Sequence, residues 1–438
     1  MKVSHIGLIS KKLEKLDEQY PVQDMLLQTG QILQYTSGIF AFGHIPFLLE
    51  QKIKQIISDT LTKYGDAEVS LPLLQPEQIW QESGRLDRYV GDGTMFRSLT
   101  KNGNYCLAPT AEEAIVAFAR PRLKTYKQLP VTYFQIGAKF RNEIRTRGYL
   151  LRGKAFGMFD AYSFGKNKQE LDVEYDKIKT AYFEIFDQLG LKVIPVGADS
   201  GAIGGAKSEE FMCFSDIGED TVYFDEKTGK AFNAELLERP DYKEYLLENY
   251  GIENPDGLKP RHTVELGHIF QLGDKYSKTM NGTFVDEQGK EQFYQMGCYG
   301  IGVSRTLAMI YENSIVKRDG VFKGIALPAN IAPYTIYAVP KTDDSAKMQV
   351  ATEICQKLQE SGVKVLFDDR KDMSIGMKIK DSMIVGTPYT VVFGKSLDCG
   401  NLEVEDNKTG EKQTVKLENF VEFCKNLAKC CANGAKME

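Results

Sequence analysis

Residues 131–164 read VTYFQIGAKFRNEIRTRGYLLRGKAFGMFDAYSF. Two strand-like runs flank an arginine-rich, glycine-containing connection from Ile144 to Gly153, which predicts a strand, a long loop and an antiparallel return strand. Side chains alternate between the faces of a strand, so Arg141 and Glu143 are expected on one side, as are Phe156, Met158, Asp160 and Tyr162 on the partner. A cation, two carboxylates and aromatic rings are poor material for a core. They suit a nucleotide together with a small zwitterion, because arginine grips phosphate or carboxylate, a ring stacks on a base and a carboxylate receives an amine. Taken alone, the spacing also fits an exposed sheet face carrying an ion pair.

A second segment, Gly297-Cys-Tyr-Gly-Ile-Gly-Val-Ser-Arg305, runs into a helical stretch from Thr306 to Tyr311. Gly300 and Gly302 permit close backbone approach, and Arg305 is expected at a helix start, where an anion is favoured. A packing turn fits this short pattern equally well, and Arg305 in the sixth position breaks the dinucleotide fingerprint GxGxxG.

Around these segments the pattern is mixed. Leu48, Leu49, Ile53, Ile56, Ile57 and Leu61 give the stripe of an amphipathic helix over 46–64, stopped by Gly65. Glu68 to Pro76 has a strand pattern, and Pro72 puts it at an edge or an interface. Residues 169–189 read as a helix ended by Gly190, and 196–261 as irregular α+β punctuated by Gly201, Gly204 and Gly205. Beyond 333 the order strand, helix, strand, helix, strand, helix predicts a separate α/β domain of about 100 residues. The expected division is 1–328 and 329–438, an α+β body on an antiparallel sheet followed by a smaller α/β domain.

With 438 residues the chain is long enough for two or three domains, and 42% hydrophobic with 26% charged residues is ordinary globular composition. No apolar run approaches a membrane span, and the N-terminal stretch lacks a secretory pattern, so the cytoplasm is the expected location. The eight cysteines form no paired CxxC pattern, which argues against structural zinc and a disulfide framework. A net charge of −5 argues against indiscriminate coating of nucleic acid. Locally the balance reverses: Lys139, Arg141, Arg145, Arg147, Arg152 and Lys154 face the single acid Glu143, a balance that suits nucleic-acid phosphates or simply a solvated charged hairpin.

These residues resemble the class II aminoacyl-tRNA synthetases, and within them the bacterial-type prolyl branch. The helix with the Pro72 strand is similar to the first class II motif, Phe140-Arg-Asn-Glu143 through Phe164 to the second, and Gly297 to Arg305 to the third. The branch is carried by Trp80-Gln-Glu-Ser-Gly-Arg85, Pro109-Thr-Ala-Glu-Glu113, Lys139 to Arg145, Gly267-His-Ile-Phe-Gln-Leu-Gly273 and Asp368-Asp-Arg370. Ser4-His-Ile-Gly7 and Lys275-Tyr-Ser-Lys-Thr279 echo class I signatures by coincidence only.

The resemblance implies ATP-dependent activation of L-proline and its transfer to tRNA(Pro), with Mg²⁺ and a homodimer formed through the first motif. It places Arg141 on the α-phosphate and the proline carboxylate, Glu143 on the adenine amine, Phe156 against adenine and Arg305 on the γ-phosphate. Glu265 and Gly302 complete the ATP site. Thr110 and Glu112 receive the imino group, and Met158, Asp160, His268 and Phe270 line the ring pocket. Arg145, Arg147 and Arg152 are implied for the acceptor end, and Asp369, Arg370 and Lys395 for the anticodon. Lys154, Ala155 and Phe159 stand where the bacterial subgroup usually has arginine, glutamate and lysine, and 401–407 lacks a basic residue often found there. Between the second and third motifs, 165–296 is too short to hold an editing domain as well as the normal connection. A catalytically silent, RNA-binding or regulatory paralogue is the alternative from another class. An enzyme charging threonine, serine or glycine is the third.

Overall fold

A computed structural model describes residues 1–198 and 207–432. Gly201, Gly204 and Gly205 lie outside them. The chain divides into two compact units, one made of residues 37–39 and 54–306, the other of 1–36, 40–53 and 307–438.

The first unit is built on a nine-stranded sheet among the described residues. In order run Lys207–Phe214, Val193–Gly197, Ala231–Asn233, Asp220–Phe224, Lys259–Gly273, Gln295–Gly302, Ala155–Gly165, Val131–Phe140 and Ala67–Glu68, and Lys207–Phe214 also pairs antiparallel with Lys259–Gly273. The long central strands pair antiparallel. One face is covered by the helix Lys168–Gln188, which begins where the Asn167 side chain accepts from the Glu170 amide and buries Tyr175, Ile178, Tyr182 and Phe186. Phe159 joins this side, with ring centroids 5.9 Å from Phe134 and 6.2 Å from Tyr182, so that departure from the subgroup pattern is a core residue.

Alternation along the strands sends Phe156, Met158, Asp160 and Tyr162 to the other face. The register carries that face across the sheet. Gln135, Asp160, Gly300, His268 and Glu210 stand in one row, and Tyr162, Cys298, Phe270 and Ser208 in the next. Gly300 in the first row lacks a side chain, and a Cβ added there would meet nothing closer than 3.7 Å. Close approach is found at Gly302, where a Cβ would fall 3.2 Å from that of Arg305, and more severely at Gly297, where it would fall 2.1 Å from the Tyr299 hydroxyl oxygen. Gly300 leaves room over the centre of the sheet.

The Glu68–Pro76 pattern does not form one strand. Proline cannot donate to a ladder, and the segment breaks around Pro72 into Ala67–Glu68, at the sheet edge, and Leu74–Pro76, which pairs with Gly103–Leu107. The amphipathic helix forms over His44–Lys63.

In the second unit, Val365–Phe367, Ile336–Pro340 and Tyr389–Phe393 form a parallel core, extended by the antiparallel strands Asn401–Asp406 and Lys412–Lys416. Helices Ser345–Glu360 and Phe420–Ala432 contribute Ile354, Leu358, Phe420 and Cys424 to its core. Residues near the N-terminus pack onto the same sheet. Phe367 N donates to the Met1 carbonyl at 2.9 Å, and the Ser4 amide and hydroxyl donate to the Asp369 carboxylate at 3.1 and 2.7 Å. No described helix is long and apolar enough to cross a membrane.

Candidate active site

Above the glycine row lies a cavity of ≈ 170 Å³. Its wall collects Thr110, Glu112, Arg141, Glu143, Phe156, Met158, Asp160, Glu265, His268, Phe270, Gly302 and Arg305, all twelve residues predicted for ATP and proline. Arg141 and Glu143 do not lie on the strand as expected. The ladder ends at Phe140, and both project from the start of the connection. Their placement is fixed by Arg141 N donating to the Lys154 carbonyl at 3.0 Å and Arg141 Nε to the Pro109 carbonyl at 3.2 Å. The Arg141 guanidinium lies 5.4 Å from the Phe156 ring centroid.

One end of the cavity is cationic. Arg305, in the first turn of the helix Val303–Glu312, donates through Nη1 to the Glu265 side chain at 2.7 Å and to its carbonyl at 2.8 Å, and through Nε to the Leu151 carbonyl at 3.0 Å. Arg152 lines the same cavity and pairs with Glu143 at 3.0 Å, so this predicted acceptor-end residue stands among the ATP candidates. Arg145 and Arg147 are exposed on the loop, and Arg147 pairs with Glu219 at 3.2 Å.

The other end is anionic and buried. Thr110 Oγ1 donates to Glu112 Oε2 at 2.6 Å, and Cys298 Sγ to Oε1 at 3.2 Å. Burial pushes the Glu112 carboxyl upward, but Arg85, Thr110 and Cys298 outweigh it and hold the group below its ordinary value. Asp160 is neutralised within the protein: Lys139 Nζ lies 2.6 Å away, and Gln135 and Tyr162 each donate to it at 2.9 Å. The His268 ring stacks on Phe270 at 3.8 Å, with Nε2 2.6 Å from Ser208 Oγ and Nδ1 3.0 Å from Glu265 Oε1. Both ring nitrogens are engaged, which fits a wall residue. Burial and the nearby Glu265 charge raise the Glu210 carboxyl to about 8.

The family described as the tRNA synthetase class II core domain (G, H, P, S and T) matches residues 96–314, and the anticodon binding domain matches 335–427. The proline–tRNA ligase of Sulfurimonas denitrificans is 34% identical over 430 residues, 95% of this chain and 97% of that one. The chain belongs to the proline–tRNA ligase family.

A second proline–tRNA ligase, from Rickettsia prowazekii, is 32% identical over 92% of this chain and 94% of its own. The fold of the crystal structure of prolyl-tRNA synthetase from Cryptosporidium parvum complexed with halofuginone and AMPPNP superposes with a TM-score of 0.75. That pair is 15% identical and covers 97% of this chain and 80% of that chain. Other proline–tRNA ligases are longer: the alignment to that of Nitratidesulfovibrio vulgaris runs over 552 positions while using 93% of this chain. This chain lacks the large insertion of such relatives.

Several wall residues of this proline–tRNA ligase family member carried no sequence signal of their own. Leu150, Leu151 and Cys298 line the cavity because the loop and the sheet bring them there. Arg85 and Glu113 were visible only as members of matched strings, and their meeting is tertiary. In the second unit Asp369 and Arg370 have partners within the chain: Asp369 holds Ser4, and Arg370 donates to Asp368 at 2.5 Å and Asp381 at 2.8 Å. Lys395 is exposed. Asn407 is buried and donates to the Thr387 carbonyl at 2.7 Å, as a structural amide.

Proposed function

We infer that this chain activates L-proline with ATP to prolyl-adenylate and pyrophosphate, then transfers proline to tRNA(Pro) with release of AMP. Ligation of proline to tRNA is the activity of its family, and the convergence of all twelve predicted residues on one cavity carries the assignment to these side chains. The proline carboxylate attacks the α-phosphorus in line, so the protein supplies no nucleophile and acts through positioning and cationic charge. Arg141 bridges the α-phosphate and the carboxylate, Arg305 takes the γ-phosphate, Glu143 the adenine amine, and Phe156 the adenine face. Glu265 orients Arg305, and Gly302 borders the nucleotide. Glu112 and Thr110 receive the secondary ammonium, while Met158, His268 and Phe270 enclose the ring beside the neutralised Asp160.

Glu210, Glu265 and His268 bring their ligand atoms within 4.8 Å of one another. Mg²⁺ prefers carboxylate oxygen to imidazole nitrogen, so Glu210 and Glu265 would hold it; burial first, and then the Glu265 charge, raise Glu210, and a cation would relieve the second of these. The ion would neutralise phosphate charge.

Residues 1–328 serve activation, and 329–438, with Lys395 exposed and Asp369 and Arg370 beside the N-terminal segment, read the anticodon. Arg145, Arg147 and Arg152 serve the acceptor end. The enzyme acts in the cytoplasm as a homodimer through the 44–76 segment. ATP–pyrophosphate exchange with each amino acid tests the assignment: proline-dependent exchange is expected, and silence with all twenty would favour the silent paralogue.

A further inference from the structure

In contact with Glu112, but not lining the cavity, stands a buried group that the activation chemistry does not use. The Arg85 side chain is 6% exposed and donates from Nη1 to Glu112 Oε2 and to Glu113 Oε1, both at 3.1 Å. Its guanidinium carbon lies 5.3, 4.7 and 5.2 Å from the rings of Trp80, Tyr89 and Tyr276. Glu112 and Glu113 are fully buried, and Ser83 Oγ donates to Glu113 Oε1 at 2.8 Å. Glu112 lines the cavity and Glu113 does not.

We propose that Arg85 is the positioning residue of the imino-group subsite, locking Glu112 against the cavity while Glu113 keeps the cluster one negative charge in excess, so that it is completed by a substrate ammonium. The inference rests on the reading of Glu112 as the imino-group partner. One guanidinium serves two carboxylates, and the shared Nη1 ties the orientation of one to the charge of the other. Were Glu113 absent, Arg85 and Glu112 would cancel, and an arriving cation would meet a neutral pair. Were Arg85 absent, two like charges would sit side by side without a counter-ion, and one would take up a proton. The aromatic box around the guanidinium rewards a flat cation over a point charge.

The other groups facing Glu113 are few. Glu112 is on its own helix, Ser83 and Tyr89 lie on the preceding segments, Cys106 on the neighbouring strand, and Lys275 and Tyr276 on the short helix Lys275–Thr279. Burial raises the Glu113 carboxyl to about 7 against the pull of Arg85, so its excess charge is about half present at neutral pH and grows as pH rises above it.

The test is steady-state ATP–pyrophosphate exchange on the full chain, with proline and ATP varied separately, for wild type, Arg85→Lys, Arg85→Met and Glu113→Gln. Glu113→Gln keeps the shape of the cluster and guards against an Arg85→Met chain that does not fold. Expected are a rise in the KM for proline of about tenfold in Glu113→Gln and at least a hundredfold in Arg85→Met, intermediate behaviour in Arg85→Lys, and an unchanged KM for ATP in all three. A proline KM within twofold of wild type in Glu113→Gln, or equal losses for ATP and proline in the Arg85 variants, overturns the positioning role. A wild-type chain without proline-dependent exchange overturns the subsite reading beneath it.

Discussion

Arg305 and Glu265 are joined twice, since one nitrogen, Nη1, donates both to the Glu265 carboxylate at 2.7 Å and to its backbone carbonyl at 2.8 Å. The guanidinium is thereby aimed before any phosphate arrives, and preorganised charge of this kind is the usual source of large rate effects. Arg305→Ala is expected to lower exchange by about 10²–10³-fold. Arg305→Lys should recover little of it, because an ammonium does not reproduce the forked contacts. Recovery to within threefold by lysine would remove the argument from geometry.

Arg141 and Arg147 lie six positions apart on one loop but in different surroundings. Arg141 is in the cavity, and Arg147 is an exposed partner of Glu219. Arg141→Ala should abolish exchange. Arg147→Ala should leave exchange unchanged and weaken tRNA charging, with a flatter salt dependence. Parallel losses of exchange in both variants would contradict that division.

Proline binding should depend on pH through Glu113. Its carboxyl is raised to about 7, so at pH 6 it is mostly protonated and the Arg85 cluster is neutral, whereas at pH 8 it is mostly ionised and the cluster is anionic. A bound ammonium favours the ionised form, so binding releases a proton below this value, and the KM for proline should fall about tenfold between pH 6 and pH 8. In Glu113→Gln the profile should be flat over that interval. An unchanged slope in this variant would assign the dependence to another group.

Arg370 makes a different prediction from the one its motif suggests. It is clamped between Asp368 and Asp381, both with fully buried carboxylates; Asp368 keeps Lys378 at 3.9 Å, but Arg370→Ala takes the ion-pair partner from Asp381 and should cost about 3 kcal/mol of stability. Urea unfolding of the full chain measures this. A variant as stable as wild type that merely loses tRNA affinity would return Arg370 to the anticodon.

The missing insertion predicts that Ala-tRNA survives exposure to this enzyme. Release of alanine should not exceed that of a no-enzyme control, and a rate well above it would reveal a hydrolytic site elsewhere in the chain.

The sequence was most legible where the physics is local. Alternation over 131–164 placed Phe156, Met158, Asp160 and Tyr162 on one face because a strand allows no other arrangement. The helix over His44–Lys63 followed from its apolar stripe, and the α/β order beyond Ile336 from the change of period. The matched strings named the cavity residues by type, but they did not show that Arg141 leaves the ladder or that Lys139 neutralises Asp160. Those facts depend on register between strands that are distant in sequence. Arg85 is 27 residues from Glu112, and nothing in either neighbourhood marks the other. Asp369 and Arg370 were legible as a motif while their partners Ser4 and Asp381 were not, since a motif does not state which of its atoms are already engaged.

The contact between Ser4 and Asp369 spans 365 residues. On a ribosome the segment around Ser4 emerges long before the carboxylate that receives it and waits while the intervening residues are made. The unit that includes 1–36 and 307–438 therefore cannot be completed by sequential, start-to-finish folding, whereas residues 54–306 can assemble while translation continues. A pause before Asp369 is made leaves the Ser4 segment without its dock.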